Sequence, residues 1–362
     1  MRKLSMIVLP VLFIATSVIG WGFHDAMGGG SPLLSITTRQ SAMNGARAMP
    51  SSGAASIFLN PAELSLLSGT EFTASAAMVQ WKEYVYADMD FDYRDTGSAG
   101  SGTVALGLDL SRNMSAGLGI TRVADFGFNG SSSILKELAG GGWEVETVQV
   151  LDSWGSLWEA GAGMSYSATR WLTLGLSGGV RFGSGAYTHR WDNADPDQPD
   201  DTTEVEWTST EPFIHAGALI PLDIGTFGIS GTNATERYNS ILAVGFQHDF
   251  ELLGGSTMGV EFDFHSPEKK YTDYTGMFYA HLAEMIPNVR STYSVGFNRA
   301  AQHHRTGLCL GTGARIVFED IDVNLSVSWN SRSRTGSIFP EPHLISVDDS
   351  GTYYSAGITW RL

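Results

Sequence analysis

The sequence predicts an all-β protein: a transmembrane antiparallel β-barrel of about fourteen strands, with an N-terminal hatch inside the lumen. Three observations predict it. The first twenty residues read as an export signal, the body of the chain alternates apolar and polar residues with period two, and Trp or Tyr lies near many segment ends. Composition narrows the field first. The 362 residues include 43 Gly, 12 Pro and one Cys, and 17% are charged. Average soluble domains carry about 25% charged residues and about 7% Gly, so the chain is charge-poor and Gly-rich. Its 10 Trp, 12 Tyr and 18 Phe exclude simple disorder. A net charge of −16 argues against a nucleic-acid partner, which needs patches of Lys and Arg. Cys309 cannot form an internal disulfide and belongs to no CxxC or Cys/His cluster, so no metal or cofactor is expected. After residue 20 no apolar run approaches the ~20 residues of a spanning helix. A large soluble β protein and a transmembrane β-barrel remain.

The N-terminus separates them. Met1-Arg2-Lys3 is a short basic start, Leu4 to Ile19 is apolar except for Ser5, Thr16 and Ser17, and small residues follow. This is the form of a secretory signal peptide over 1–20; an uncleaved anchor helix is the alternative. Cleavage after Gly20 leaves Trp21-Gly22-Phe23 as the new start. The protein leaves the cytoplasm.

From residue 69 to 362 the alternation recurs. Val104, Leu106, Leu108 and Leu110 share one face; so do Val260, Phe262 and Phe264, and so do Tyr354, Ala356, Ile358, Trp360 and Leu362. A soluble sandwich also alternates. The signal peptide, segments of about ten residues or more, and Trp81, Trp171, Trp207, Trp329 and Trp360 as interfacial girdles favour the membrane form. The segments are 70–92, 101–112, 114–127, 153–168, 171–186, 204–221, 226–232, 240–253, 256–268, 276–286, 290–301, 305–318, 321–331 and 352–362. The count is even. The long connections 128–152, 187–203 and 332–351 follow odd strands and are expected outside the cell. Tight ones such as Asn113, Thr169-Arg170 and Glu319-Asp320 follow even strands and are expected in the periplasm.

Residues 21–68 are too irregular for a spanning strand and too apolar for a free tail. Irregular backbone at membrane depth is tolerated inside protein, which places this stretch in the lumen as a hatch. Asn60-Pro61-Ala62 reads either as a held turn or as a helix start, with Asn60 as cap and Pro61 at the first position. The stretch resembles the N-terminal hatch of the outer-membrane long-chain fatty-acid and aromatic-hydrocarbon transporter family. The resemblance rests on small-residue-rich Gly45 to Ser56, on Asn60-Pro61-Ala62, on Leu64 to Leu67 leading into Gly69-Thr70-Glu71-Phe72, and on the Gly22-Phe23 start. The chain departs from that pattern at Gly28-Gly29-Gly30, at Glu63, and at Leu362, where a terminal Phe is usual. The resemblance implies a fourteen-stranded barrel closed by a hatch and passive passage of hydrophobic molecules from outside. It also implies a kink in the third strand, at Asp125-Phe126-Gly127, that opens the wall sideways; an ordinary strand end is the alternative. The gate residues are then Phe23, whose ring fills an apolar pocket in the lumen, and Asn60, Pro61 and Ala62, which hold the hatch.

Other motifs are bland. Asp125-Phe126-Gly127 lacks the remaining kinase motifs, Gly161-Ala162-Gly163 lacks a following helix, and no nucleophile elbow appears, so no enzyme is expected. Adjacent His303 and His304 point oppositely on a strand. Asp192, Asp195, Asp197, Asp200, Asp201, Glu204 and Glu206 form a solvated acidic loop or bind divalent cations near lipopolysaccharide. Asp109, Arg181, Glu261, Asp263 and Arg315 face inward and solvate or cross-link the lumen. Three function classes fit: a channel for hydrophobic small molecules such as fatty acids or hydrocarbons, a non-transporting barrel that anchors or assembles a surface or secretion complex, and a general porin, which the hatch opposes. The expected surroundings are outer-membrane lipid and lipopolysaccharide of a Gram-negative-type cell. The barrel-assembly machinery would engage the last strand through Trp360 and Leu362.

Overall fold

The computed structural model describes residues 31–32, 36–49, 53–87, 91–195, 197, 199–236, 238–250, 256–266, 273–286, 289–300, 305–336 and 345–362. Fourteen of its strands close into an antiparallel barrel. In chain order the strands are β1 (Ser31–Pro32), β2 (Thr70–Ala87), β3 (Phe91–Ser111), β4 (Met114–Asp125), β5 (Phe128–Glu137), β6 (Trp143–Thr169), β7 (Leu172–Asn193) and β8 (Asp201–Leu222). They continue with β9 (Gly225–Thr232), β10 (Ser240–Phe250), β11 (Ser256–Ser266), β12 (Asp273–Ile286), β13 (Val289–Ala300), β14 (Arg305–Val317), β15 (Ile321–Gly336) and β16 (Ile345–Arg361). The wall is β2 to β4 and β6 to β16; β1 and β5 each pair on one side only, with β4 and β6. A continuous ladder from Glu71↔Arg361 to Ala87↔Ile345 joins β16 to β2 and closes the ring. No helix among the described residues is long and apolar enough to span a membrane.

Burial decides which face of the alternation is inside. Leu118, Leu176, Ile214, Phe278 and Leu325 all point outward and are exposed. Inward positions hold Ser, Thr, Gly and charged groups such as Glu159, Arg181 and Glu261. A soluble sandwich hides its apolar face. This wall presents it, as a barrel in lipid does.

The strands run further than the sequence pattern suggests. Within the expected first segment, 70–92, β2 ends at Ala87, and β3 begins at Phe91, ten residues before the expected 101. The expected loops 128–152, 187–203 and 332–351 are largely strand: β5 with the first part of β6, the ends of β7 and β8, and the ends of β15 and β16. Trp207 is also corrected. It shares the inward side of β8 with Phe213 and His215 and lies against Phe126 at 4.6 Å between ring centroids, not in an outer girdle. Trp171 and Trp329 do face outward. His303 and His304 lie outside the described residues.

Inside the ring lies an N-terminal segment, described over residues 36–49 and 53–67, which forms α1 (Thr38–Ala42) and two 3-10 turns, Gly53–Phe58 and Pro61–Leu66. Thr37 caps α1 by accepting from the Gln40 N–H at 3.2 Å. Asn44 and Gly45, both with positive φ (54° and 95°), turn the chain out of the helix, and the Gly45 N–H closes on the Gln40 carbonyl.

Candidate functional site

Backbone in a lumen must find partners, and here the wall supplies them. Ser75 and Thr103 donate to the Ile36 carbonyl, Ser294 to Ala42 at 2.5 Å, and Ser177 to Ile57 at 2.5 Å. Glu261, fully buried on β11, accepts three consecutive N–H groups: those of Arg47, Ala48 (2.8 Å) and Met49 (3.2 Å). Asp263 lies 3.8 Å from the Arg47 guanidinium. Burial lowers the Arg47 pKa, but Tyr238 and Asp263 outweigh it and the value lies above the ordinary one. Burial, aided by Arg315, lowers Arg39 to about 10, so it stays charged at neutral pH.

Close approach explains much of the glycine. A side chain at Gly175 would run into the backbone of Pro61 and Ala62, one at Gly217 into the Asn60 carboxamide, and one at Gly228 into the Ala48 carbonyl. Gly107, Gly117 and Gly245 likewise make room for Leu67, Ile57 and Met49. The segment therefore seats on a wall thinned around much of its circumference.

Asn60, Pro61 and Ala62 all lie in this seat, fully or almost fully buried. Asn60 Oδ1 accepts from the Ala62 N–H at 3.1 Å, Pro61 takes the first position of the turn, and Asn60 Nδ2 donates to the Ala48 carbonyl at 2.8 Å. The cap and the held turn coexist. Phe23 lies outside the described residues.

Asp125, Phe126 and Gly127 lie where the wall changes. The β3–β4 ladder ends at Thr103↔Thr121. Above it β4 shifts register against β6 between Arg122 and Ala124, and Ala124 and Asp125 pair with Pro32 and Ser31 of β1 instead of with β3. Every residue from Thr121 to Gly127 is buried, so the alternation stops here. β4 itself ends at Asp125, two residues before the expected 127. β5 then takes over the edge of β6 from Phe128↔Ser153. Among the described residues, no ladder joins this edge of β3 to β4 or β5 above Thr103. Beside the break, Val123, Ala124, Phe126, Leu157, Tyr238 and Ile241 form one apolar cluster, with Trp207 against it.

Expected inward charges and polar residues that the alternation did not single out together complete the lumen. Arg181 pairs with Glu159 at 2.5 Å, Glu159 holds His215 Nε2 at 3.0 Å, and the Arg181 guanidinium stacks 4.1 Å over the Tyr238 ring. Arg315 and Arg361 converge on Asp322. Of the expected inward charges, Arg181, Glu261, Asp263 and Arg315 cross-link the lumen; Asp109 is exposed near a tight turn. Inward parity in their strands was the available signal for Glu159 and Asp322.

No protein-family profile and no curated protein matches the sequence. Solved structures do match. A FadL homologue of Pseudomonas aeruginosa has a TM-score of 0.66 at 11% identity, over 91% of this chain and 99% of that one. The Pseudomonas putida toluene transporter TodX has 0.64 at 13%, again over 91% and 99%. The Ralstonia pickettii toluene transporter TbuX has 0.62 at 13% with the same coverage. This chain has the fold of that transporter family. At such identity the likeness speaks for the barrel and its route through space, while the chemistry rests on the residues described above.

Proposed function

We propose that the chain is an outer-membrane channel for passive uptake of hydrophobic small molecules, long-chain fatty acids or hydrocarbons. Residues 1–20 are its signal peptide, 21–68 its hatch and 69–362 its barrel. The observation that carries this reading is the break between β3 and β4, with an apolar cluster beside it. Apolar surface gains about 25 cal/mol per Å² by leaving water. A route past Phe126 and out through the wall ends in lipid. A route straight down meets the buried charges Glu159, Arg181, Glu261 and Asp263 and ends in water, so the sideways route at Asp125, Phe126 and Gly127 costs less. The structural neighbours TodX and TbuX are toluene transporters, which supports the same substrate class. Phe23 is the proposed occupant of the lumen's apolar region until ligand displaces it, and Asn60-Pro61-Ala62 holds the hatch that carries it.

Uptake of radiolabelled hexadecanoate by intact Gram-negative cells tests the reading, because their lipopolysaccharide leaflet slows spontaneous passage. Cells carrying the protein should take up label faster than the host alone. Equal rates, with folded protein in the outer membrane, would leave the anchoring barrel as the better reading.

A further inference from the structure

The break in the wall is not an open hole. Arg122 fills it. By the alternation of β4 its side chain belongs outside with Leu118 and Ile120, yet it is 2% exposed. Its NH1 donates to the Gly100 carbonyl of β3 at 2.7 Å, in the stretch where the β3–β4 ladder has ended. Its NH2 lies 2.9 Å from Asp125 Oδ2 and reaches the Gly155 carbonyl of β6 at 3.4 Å. Asp125, completely buried, is held in turn by the Gly127 N–H at 2.8 Å. One guanidinium thus joins β3, β4 and β6 where main-chain pairing has lapsed. Its Nε is buried without an acceptor among the described residues.

The geometry points to Arg122 as the residue that closes the side opening and selects what passes; the inference rests on the channel reading above. A molecule leaving between β3 and β4 must detach Arg122 from the Gly100 carbonyl. A bare hydrocarbon offers nothing in exchange, so a buried donor loses its acceptor. A hydrophobic molecule with an acceptor at one end, a carboxylate above all, can take the NH1 donor that the Gly100 carbonyl gives up, in a charge-assisted hydrogen bond. Arg122 therefore passes acceptor-bearing amphiphiles in preference to hydrocarbons of the same length.

The test compares uptake of radiolabelled hexadecanoate and hexadecane by intact cells. One variant is Arg122→Met with Asp125→Asn, which leaves no unpaired buried charge; the other is Arg122→Lys, which keeps the charge but lacks the fork. Folding is checked by the mobility of unheated protein on denaturing gels. The wild type should favour hexadecanoate by about tenfold, the order of one hydrogen bond to a charged group. Both variants should bring the ratio toward one by raising hexadecane uptake. A ratio unchanged in the folded double variant overturns the proposal. If the double variant does not fold, an unchanged ratio in Arg122→Lys overturns it. Absence of any uptake by the wild type would instead remove the channel reading itself.

Discussion

Glu261 illustrates how much of the lumen depends on single side chains. A carboxylate facing three successive N–H groups is a small anion nest built from two elements, one oxygen serving Arg47 and Ala48 and the other Met49. Glu261→Gln keeps one acceptor oxygen and loses the charge; Glu261→Ala loses both, and each buried group left unmatched costs about 1–3 kcal/mol. The segment should then move more freely. Planar-bilayer recordings should show larger or more frequent openings in the order wild type, Glu261→Gln, Glu261→Ala, and equal conductance in all three would show that the nest does not hold the segment. Asn60 works in the same direction with two bonds of its own. Asn60→Ala removes the cap, worth about 0.5–2 kcal/mol, along with the tie to Ala48, and should raise leakage of small polar solutes without loss of the barrel. A sugar-swelling assay on proteoliposomes reads this directly.

Among whole elements, the fit between the lumen segment and the wall is set by glycines more than by large side chains. Gly175→Val places two methyl groups where the backbone of Pro61 and Ala62 lies, while β7 itself accommodates valine well. The expected result is a folded barrel whose residues 36–67 are cut by added protease much faster than in the wild type; equal protection would mean the seat has slack that the close approach does not suggest. The sequence made the lipid-embedded strands legible because one face meets lipid and the other the lumen. Beyond the membrane that contrast ends. In the first part of β6, Glu144, Val145 and Glu146 are all exposed and the register shifts beside Glu146, so the alternation fades although the ladder continues to Trp143. The same loss of contrast hid the ends of β7, β8, β15 and β16. The Asn60 turn was legible because its chemistry is local. The break near Asp125 was only half legible: Gly127 marked the neighbourhood, but the change is made by the shift at Arg122–Ala124, by pairing with residues 31–32 and by Gly155 on the next strand, at φ 155°. None of these is local in sequence, and Arg122 reads as an ordinary outward residue until the strand is seen to leave its ladder.

At the scale of the molecule, the apolar belt fixes how the barrel sits in lipid, and the loop asymmetry fixes which end is which. Along β7 the outward residues from Leu172 to Phe182 are apolar or glycine, and exposed Trp171 marks the lower rim. Eleven residues at about 3.3 Å each, tilted about 45°, span about 25 Å, the height of an outer-membrane apolar band. Past one rim the turns are short, at 112–113, 170–171 and 223–224. Past the other, the paired strands continue well beyond the belt and carry exposed acids such as Asp152, Asp201 and Glu204. Short turns belong in the periplasm and long extensions outside. Leu362, whose N–H donates to the Thr70 carbonyl at 2.8 Å, lies at the short-turn end, as does the entry of the lumen segment into β2. Single cysteines at Asp195 and Arg170, both exposed positions, test this in a Cys309→Ser background. A membrane-impermeant maleimide should label position 195 on intact cells and position 170 only after the outer membrane is permeabilised. The opposite pattern would invert the barrel, and the proposed sideways release would then face the wrong leaflet.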